Sequence, residues 1–228
     1  MTERGILFKP AMVKAILDGQ KTQTRRIVII PTWADEESGV EIDRAYLNDK
    51  EIDWPYAISR KTGCQSALDC PYGQPGDRLY VREPWILLPR EEWDDPQRPN
   101  SWIHTRYGVP RANAAAYKAD TTMDGEEIRK AYGYSWKPSI HMPKWASRLW
   151  LEITGVRVEQ LQDISEEDAI AEGVTIKVDA EIAARVAGET PARMEFWDLW
   201  KSIHGSGSWE LNPWVWIIEF QRIERVVA

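Results

Sequence analysis

The chain is short of the residues that most often build metal and redox sites. It has 2 cysteines and 3 histidines in 228 residues. Cys64 and Cys70 lie in the segment GCQSALDC, a separation that matches no common zinc or redox spacing. The two residues form either a disulfide or free thiols, and a cytosolic chain favours free thiols. His104, His141 and His204 are far apart in sequence, so no metal site and no cofactor are expected. No run approaches the roughly 18 apolar residues of a membrane helix. The opening Met1-Thr2-Glu3-Arg4-Gly5 carries no signal-peptide core. The expectation is a soluble, cytoplasmic protein with no membrane partner. Positive charge is also in deficit. Lys plus Arg is 29 against 36 Asp plus Glu, a net charge of −7. That argues against a basic protein coating a nucleic-acid polymer, since such binding is driven by phosphate neutralisation. It leaves room for a local basic pocket. Neither an internal repeat nor a low-complexity tract is visible.

Tryptophan is what the chain has in excess, with 13 residues. Most are expected to fill the core or anchor loops. Trp197, Trp200, Trp214 and Trp216 fall in helix or strand patterns and read as core. Trp33, Trp54, Trp93 and Trp102 read as loop anchors. Trp85, Trp136, Trp145 and Trp150 are candidates for an aromatic wall that stacks on a flat base. Trp209 fits none of these groups.

The patterned blocks alternate with polar, Pro-rich stretches. Ile6-Leu7-Phe8 reads as a strand. Pro10 opens a helix with Val13, Ile16 and Leu17 on one stripe, closed by Gly19. A polar turn, Lys21–Arg26, leads into a strand at Ile27–Ile30. Residues 31–72 and 86–147 read as two long irregular insertions, with a short strand at Tyr117–Asp120 inside the second. Residues 73–85 give a turn and a strand. Leu149, Leu151 and Ile153 alternate as in a half-buried strand. Ser165-Glu166-Glu167-Asp168 has the form of a capping box. Thr190-Pro191 opens a helix with Met194, Trp197, Trp200 and Ile203 along one side. A last strand runs from Trp214 to Ile223, with Trp214, Trp216, Ile218 and Phe220 on one face. Strands and helices do not alternate strictly. The fold class expected is α+β, a small mixed β-barrel with peripheral helices in a single domain over 1–228.

Three places carry candidate chemistry. The segment Gly19-Gln20-Lys21-Thr22-Gln23-Thr24-Arg25-Arg26 concentrates cations and hydroxyls on an acidic protein. Such a turn suits a phosphate or carbonyl oxygen, or is a solvated turn paired to surface acids. Glu83 shares strand parity with Leu79 and Val81. An acid there must be paired, have a raised pKa, or end the strand in solvent. Pro84 favours the strand end. Glu152 has the opposite parity from Leu151 and Ile153, and points either into a barrel mouth or to the surface.

The turn GQKTQTRR resembles the Gly-x-Lys-x-x-Thr-x-Arg signature of the ASCH domain, a PUA-like β-barrel. Leu151-Glu152-Ile153-Thr154 with the following helix, and Trp216–Phe220, are similar to later blocks of that domain. The stretches Pro75–Glu83 and Pro138–Arg148 resemble longer ASCH proteins of phages and prophages. One ASCH branch consists of amidohydrolases that remove the acetyl group from acetylated cytosine. The resemblance to that branch implies Lys21, Thr24 and Glu152 as the catalytic set. Other members are RNA-binding modules.

Amide hydrolysis without a metal needs an activated nucleophile, a proton for the leaving amine and oxyanion stabilisation. A neutral Lys21, depressed by Arg25, Arg26 and burial, would serve with Glu152. Thr24 and Arg26 would donate to the carbonyl. Arg25, Arg26, Glu83, Trp85, Trp145 and Trp150 are the substrate-binding candidates. The favoured expectation is an amidohydrolase acting on an acylated nucleoside or base. The alternative is a non-catalytic reader of RNA or a modified base. A third is a phage accessory protein that binds another protein through the insertions.

Overall fold

Apolar residues at alternate positions, such as Leu79 with Val81 and Leu151 with Ile153, bury one face of each strand. They set the centre of the largest sheet. The structure, a computed structural model, describes residues 1–29, 40–47, 53–59, 63, 65–88, 103–104, 114–122, 124–133, 135–177, 184 and 186–224. In chain order the elements are β1 (Glu3–Leu7), α1 (Pro10–Leu17), β2 (Gln23–Ile27), β3 (Val40–Leu47), β4 (Asp53–Ser59) and β5 (Gln65–Ala67). Then come β6 (Arg78–Arg82), β7 (Trp85–Leu88), β8 (Ile103–His104), β9 (Ala114–Tyr117) and α2 (Gly125–Tyr132). The chain ends with β10 (Trp150–Gln160), α3 (Glu166–Ala171), α4 (Pro191–His204) and β11 (Trp214–Ile223). The fold is mixed α+β. Its main sheet has the order β1-β6-β10-β11-β2 and does not close on itself among the described residues. Two three-stranded sheets, β3-β4-β5 and β7-β9-β8, accompany it. Among the described residues no helix is long and apolar enough to cross a membrane.

The chain divides into two compact units. The first comprises Met1–Gly19, Gly76–Glu152 and Gln221–Ala228. Here β1 runs parallel to β6, and β10 pairs antiparallel with β6. Gly5, Tyr80 and Trp150 form one row across these three strands. The Tyr80 ring covers the glycine and meets Trp150 at 5.9 Å. Pro10 starts α1, and Gly19 leaves it with φ +73°, as a helix-ending glycine should. The described residues within the expected irregular stretch 86–147 include regular elements. That stretch supplies β8, α2 and β9, the last pairing with both β7 and β8. Asp124 and Glu127 form a reciprocal capping box at the start of α2. Tyr117 ends β9, and a 3-10 turn follows over Lys118–Asp120 where a strand was expected.

The second unit comprises Gln20–Pro75 and Ile153–Phe220. Residues 31–72, also expected to be irregular, hold the antiparallel β3-β4-β5 sheet. Trp54 of β4 packs on Trp216 at 6.0 Å and donates to the Leu68 carbonyl. Trp33, Trp93, Trp102 and Cys64 lie outside the described residues. The core joins Leu161, Ile164, Ala169, Ala192, Phe196, Trp200, Val215 and Ile217. Ser165 caps α3 by accepting from the Asp168 amide. The buried stripe of α4 is Ala192, Phe196 and Trp200, spaced by four. The expected stripe through Met194 and Trp197 is rotated away, because those two side chains line a cavity. In β11 both faces are buried from Val215 to Ile218, not the single face that alternation alone suggests.

Candidate functional site

The segment read as a polar turn followed by an apolar strand is displaced. The strand is Gln23–Ile27 itself, and Ile29 beyond it is exposed. Charge can enter the interior here because α3 supplies the opposite sign. Asp168 and Glu172 are four residues apart and so share one helix side. Gln23 and Arg25 share one strand parity, and Lys21 reaches the same helix. The Lys21 ammonium donates to the Glu172 carboxylate at 2.7 Å and to the Glu172 carbonyl at 2.8 Å. Gln23 donates to the Asp168 carbonyl at 2.9 Å. Arg25 donates to Glu172 at 3.2 Å and to Asp168 at 2.7 Å. Arg157 adds a second cation to Asp168 at 2.8 Å and pairs with Glu159 and Glu219.

The Lys21 side chain has 0% exposure. Burial pushes its pKa below the ordinary lysine value, and the nearby Arg26 and Arg25 push the same way against the attraction of Glu172. The direction matches the expectation, although desolvation leads and the arginines are minor. Asp168 is held below the usual carboxylate range: burial works against this, and Arg25 with Arg157 outweighs it.

Thr24 and Arg26 take the alternate strand parity, opposite Ile218 and Trp216 of β11. Thr24 is buried, and Arg26 lies over the Tyr72 ring at 6.0 Å. Glu152 is half-buried in the first unit, opposite Arg78. The carboxylate that the structure brings to Lys21 is Glu172.

Glu83 is not at a solvated strand end. It is 0% exposed, with its carboxylate clasped by Arg148 at 2.8 and 3.1 Å. Pro84 ends β6 without opening it to water, because Pro138–Arg148 folds over it. Arg82 donates to the Met142 carbonyl, the Glu83 amide to the Met142 sulfur, and Ser147 to the Val81 carbonyl. The two stretches Pro75–Glu83 and Pro138–Arg148 are therefore one packed assembly. Arg148 also holds Asp120 at 2.7 Å and lies 4.1 Å above the Tyr117 ring. Burial raises the Glu83 pKa, and the Arg148 hydrogen bonds oppose it only in part.

The aromatic candidates are enclosed to different degrees. Trp85 and Trp150 are each 4% exposed. Trp85 meets Trp145 edge-on at 5.9 Å and has Lys137 over its ring at 5.3 Å. Trp150 carries Lys144 at 5.6 Å. Trp136 is half-buried, with Lys118 over its ring at 5.5 Å. Sequence reasoning missed Glu172, Asp168, Arg157, Arg148 and Asp120. The i, i+4 acids of α3 were a readable signal for the first two. Asp120 and Arg148 are 28 residues apart with no local pattern to link them. Among the described residues no three His, Cys, Asp or Glu side chains are grouped to hold a metal ion. Comparison with protein-family models, curated proteins and solved structures finds no match to this chain.

Proposed function

We propose that this protein is a non-catalytic module that binds a modified nucleobase, its nucleoside or RNA in the cytoplasm. The observation that carries the reading is the position of Lys21. Its side chain has no exposed surface, and its ammonium is committed to Glu172. A group that performs amide hydrolysis must reach the substrate within hydrogen-bond distance. In the proposed reading Lys21, Arg25, Asp168 and Glu172 are a charge clamp that fastens β2 to α3. The finer fold assignment, a PUA-like ASCH barrel, rests on the signature residues Gly19–Arg26 rather than on the open sheet.

One observation favours the second reading, an amidohydrolase acting on acylated cytidine. The depressed pKa of Lys21 lowers the cost of the neutral amine that such chemistry needs. Equilibrium binding of cytidine, acetylated cytidine and a short single-stranded RNA at two salt concentrations tests the first reading. Saturable binding is expected, with the RNA affinity falling as salt rises. Absence of binding to all three overturns it.

A further inference from the structure

The second unit holds a cavity of about 260 Å³, lined by Ala187, Glu189, Arg193, Met194, Trp197 and Trp209. Its walls are fixed from behind. Trp209 packs on Trp197 and on Phe196, each with ring centroids 6.3 Å apart. The Trp209 carbonyl accepts from the Gln162 side-chain amide and from the Asn212 amide, each at 3.0 Å. Lys201 covers the Trp197 ring at 4.0 Å. Arg193 donates to the Ile164 carbonyl at 2.7 Å and to the Gln162 carbonyl at 3.3 Å. Its Nε lies 3.0 Å from a Glu189 oxygen without the alignment of a hydrogen bond.

These contacts decide which ligand the cavity suits. The Arg193 fork is tied to backbone carbonyls, so it does not present the two parallel donors that favour a phosphate. What the cavity offers a ligand is the Glu189 carboxylate, one oxygen of which lies beside Arg193, and an indole. Glu189 is 45% exposed, and a carboxylate accepts hydrogen bonds and donates none. The Trp197 indole N–H is buried without a hydrogen-bond partner, and it donates only. Two tryptophans and the Met194 thioether supply flat, polarisable surface, which every base can stack against. The volume lies below the range of about 300–1,000 Å³ typical of drug-sized ligands, which fits a base or nucleoside and not a polymer.

We propose that this cavity binds an amino-substituted nucleobase, free or as its nucleoside. The flat face of the base rests on one of the two mutually inclined rings of Trp197 and Trp209, and its amino group donates to Glu189. The inference deepens the binding reading above and rests on it. A carboxylate selects for an amino edge, as it does for the cytosine amine. A uracil presents a carbonyl at that place, and two acceptors then face each other.

Calorimetric titration of the full chain with cytidine, guanosine, uridine and a short single-stranded RNA tests the proposal. The variants are Glu189→Gln and Trp197→Phe, each checked for an unchanged thermal transition. Cytidine or guanosine should bind at least about tenfold tighter than uridine, since a hydrogen bond to a charged group is at stake. Glu189→Gln should erase that preference, and Trp197→Phe should weaken binding while keeping the stacking surface. Binding of uridine as tight as that of cytidine overturns the cavity assignment. So does amino-nucleoside or RNA binding that neither variant alters, and in that case the binding reading itself survives. No binding of any nucleoside or of RNA removes both.

Discussion

A lysine with no exposed side chain is a cation that the fold must neutralise from within. Lys21 is neutralised by Glu172, which Arg25 also holds. Removing one partner of a buried pair leaves a charge without compensation and costs about 3–5 kcal/mol. Glu172→Gln should lose stability on that scale, and Lys21→Met should lose less, because Arg25 still holds the Glu172 carboxylate. The double variant should lose less than the sum, because the orphaned charge is then gone. Chemical denaturation of the four proteins reads the coupling directly. Glu83 makes a prediction of opposite sign from an ordinary ion pair. An unfolded glutamate titrates near about 4.3, and burial raises the folded value above that. Its contribution is therefore full below about 4.3 and is lost as pH rises through the folded value. The stability of the natural protein relative to Glu83→Gln should fall with rising pH across that window. A rise would mean that Arg148 outweighs burial. Asp168 behaves the other way. Its folded value is depressed, so its contribution is present above about 3.9 and is lost as pH falls through the folded value.

Elements were legible where a local rule decides them and obscure where a distant partner does. Pro10 and Gly19 bounded α1, Ser165 bounded α3 and Thr190-Pro191 opened α4, because caps and prolines act within one turn. The strand β2 was misplaced because Gln23–Arg26 is polar. Its burial depends on α3, more than 140 residues later, as the Gln23–Asp168 separation of 145 shows. The sheet strands in 31–72 and 86–147 were missed for a similar reason. Their pairing is a property of two segments, and alternation within each is broken by Pro, Asp and Ala. Two substitutions probe this scale. Ser165→Ala removes the oxygen that accepts from the Asp168 amide, and should cost about 1 kcal/mol of stability. Gly5→Ala places a methyl 2.9 Å from the Tyr80 ring and from Arg82. It should cost about 1–3 kcal/mol by overpacking. Thermal unfolding checks both, and a neutral Gly5→Ala would show that the Tyr80 ring yields freely.

At the scale of the whole molecule the acidic balance and the basic segment Gly19–Arg26 are reconciled by burial. Lys21 and Arg25 do not face solvent as a patch; they are matched by acids of α3. The net charge of −7 already counts these cations, and their pairing leaves no basic patch at Lys21 and Arg25. The tryptophans were harder to apportion from sequence, because their exposure depends on what packs over them. Trp85 and Trp150, read as an open wall, are enclosed, whereas Trp197, read as core, and Trp209, left without a role, line the cavity. Under the proposed binding function, the chain would hold an acylated nucleoside without breaking it. A proton NMR time course of acetylated cytidine with the natural protein tests this most directly, through the acetyl methyl signal. For a binding module this methyl signal shifts or broadens while no free acetate appears. Acetate that accumulates with the natural protein and not with Lys21→Met would contradict it.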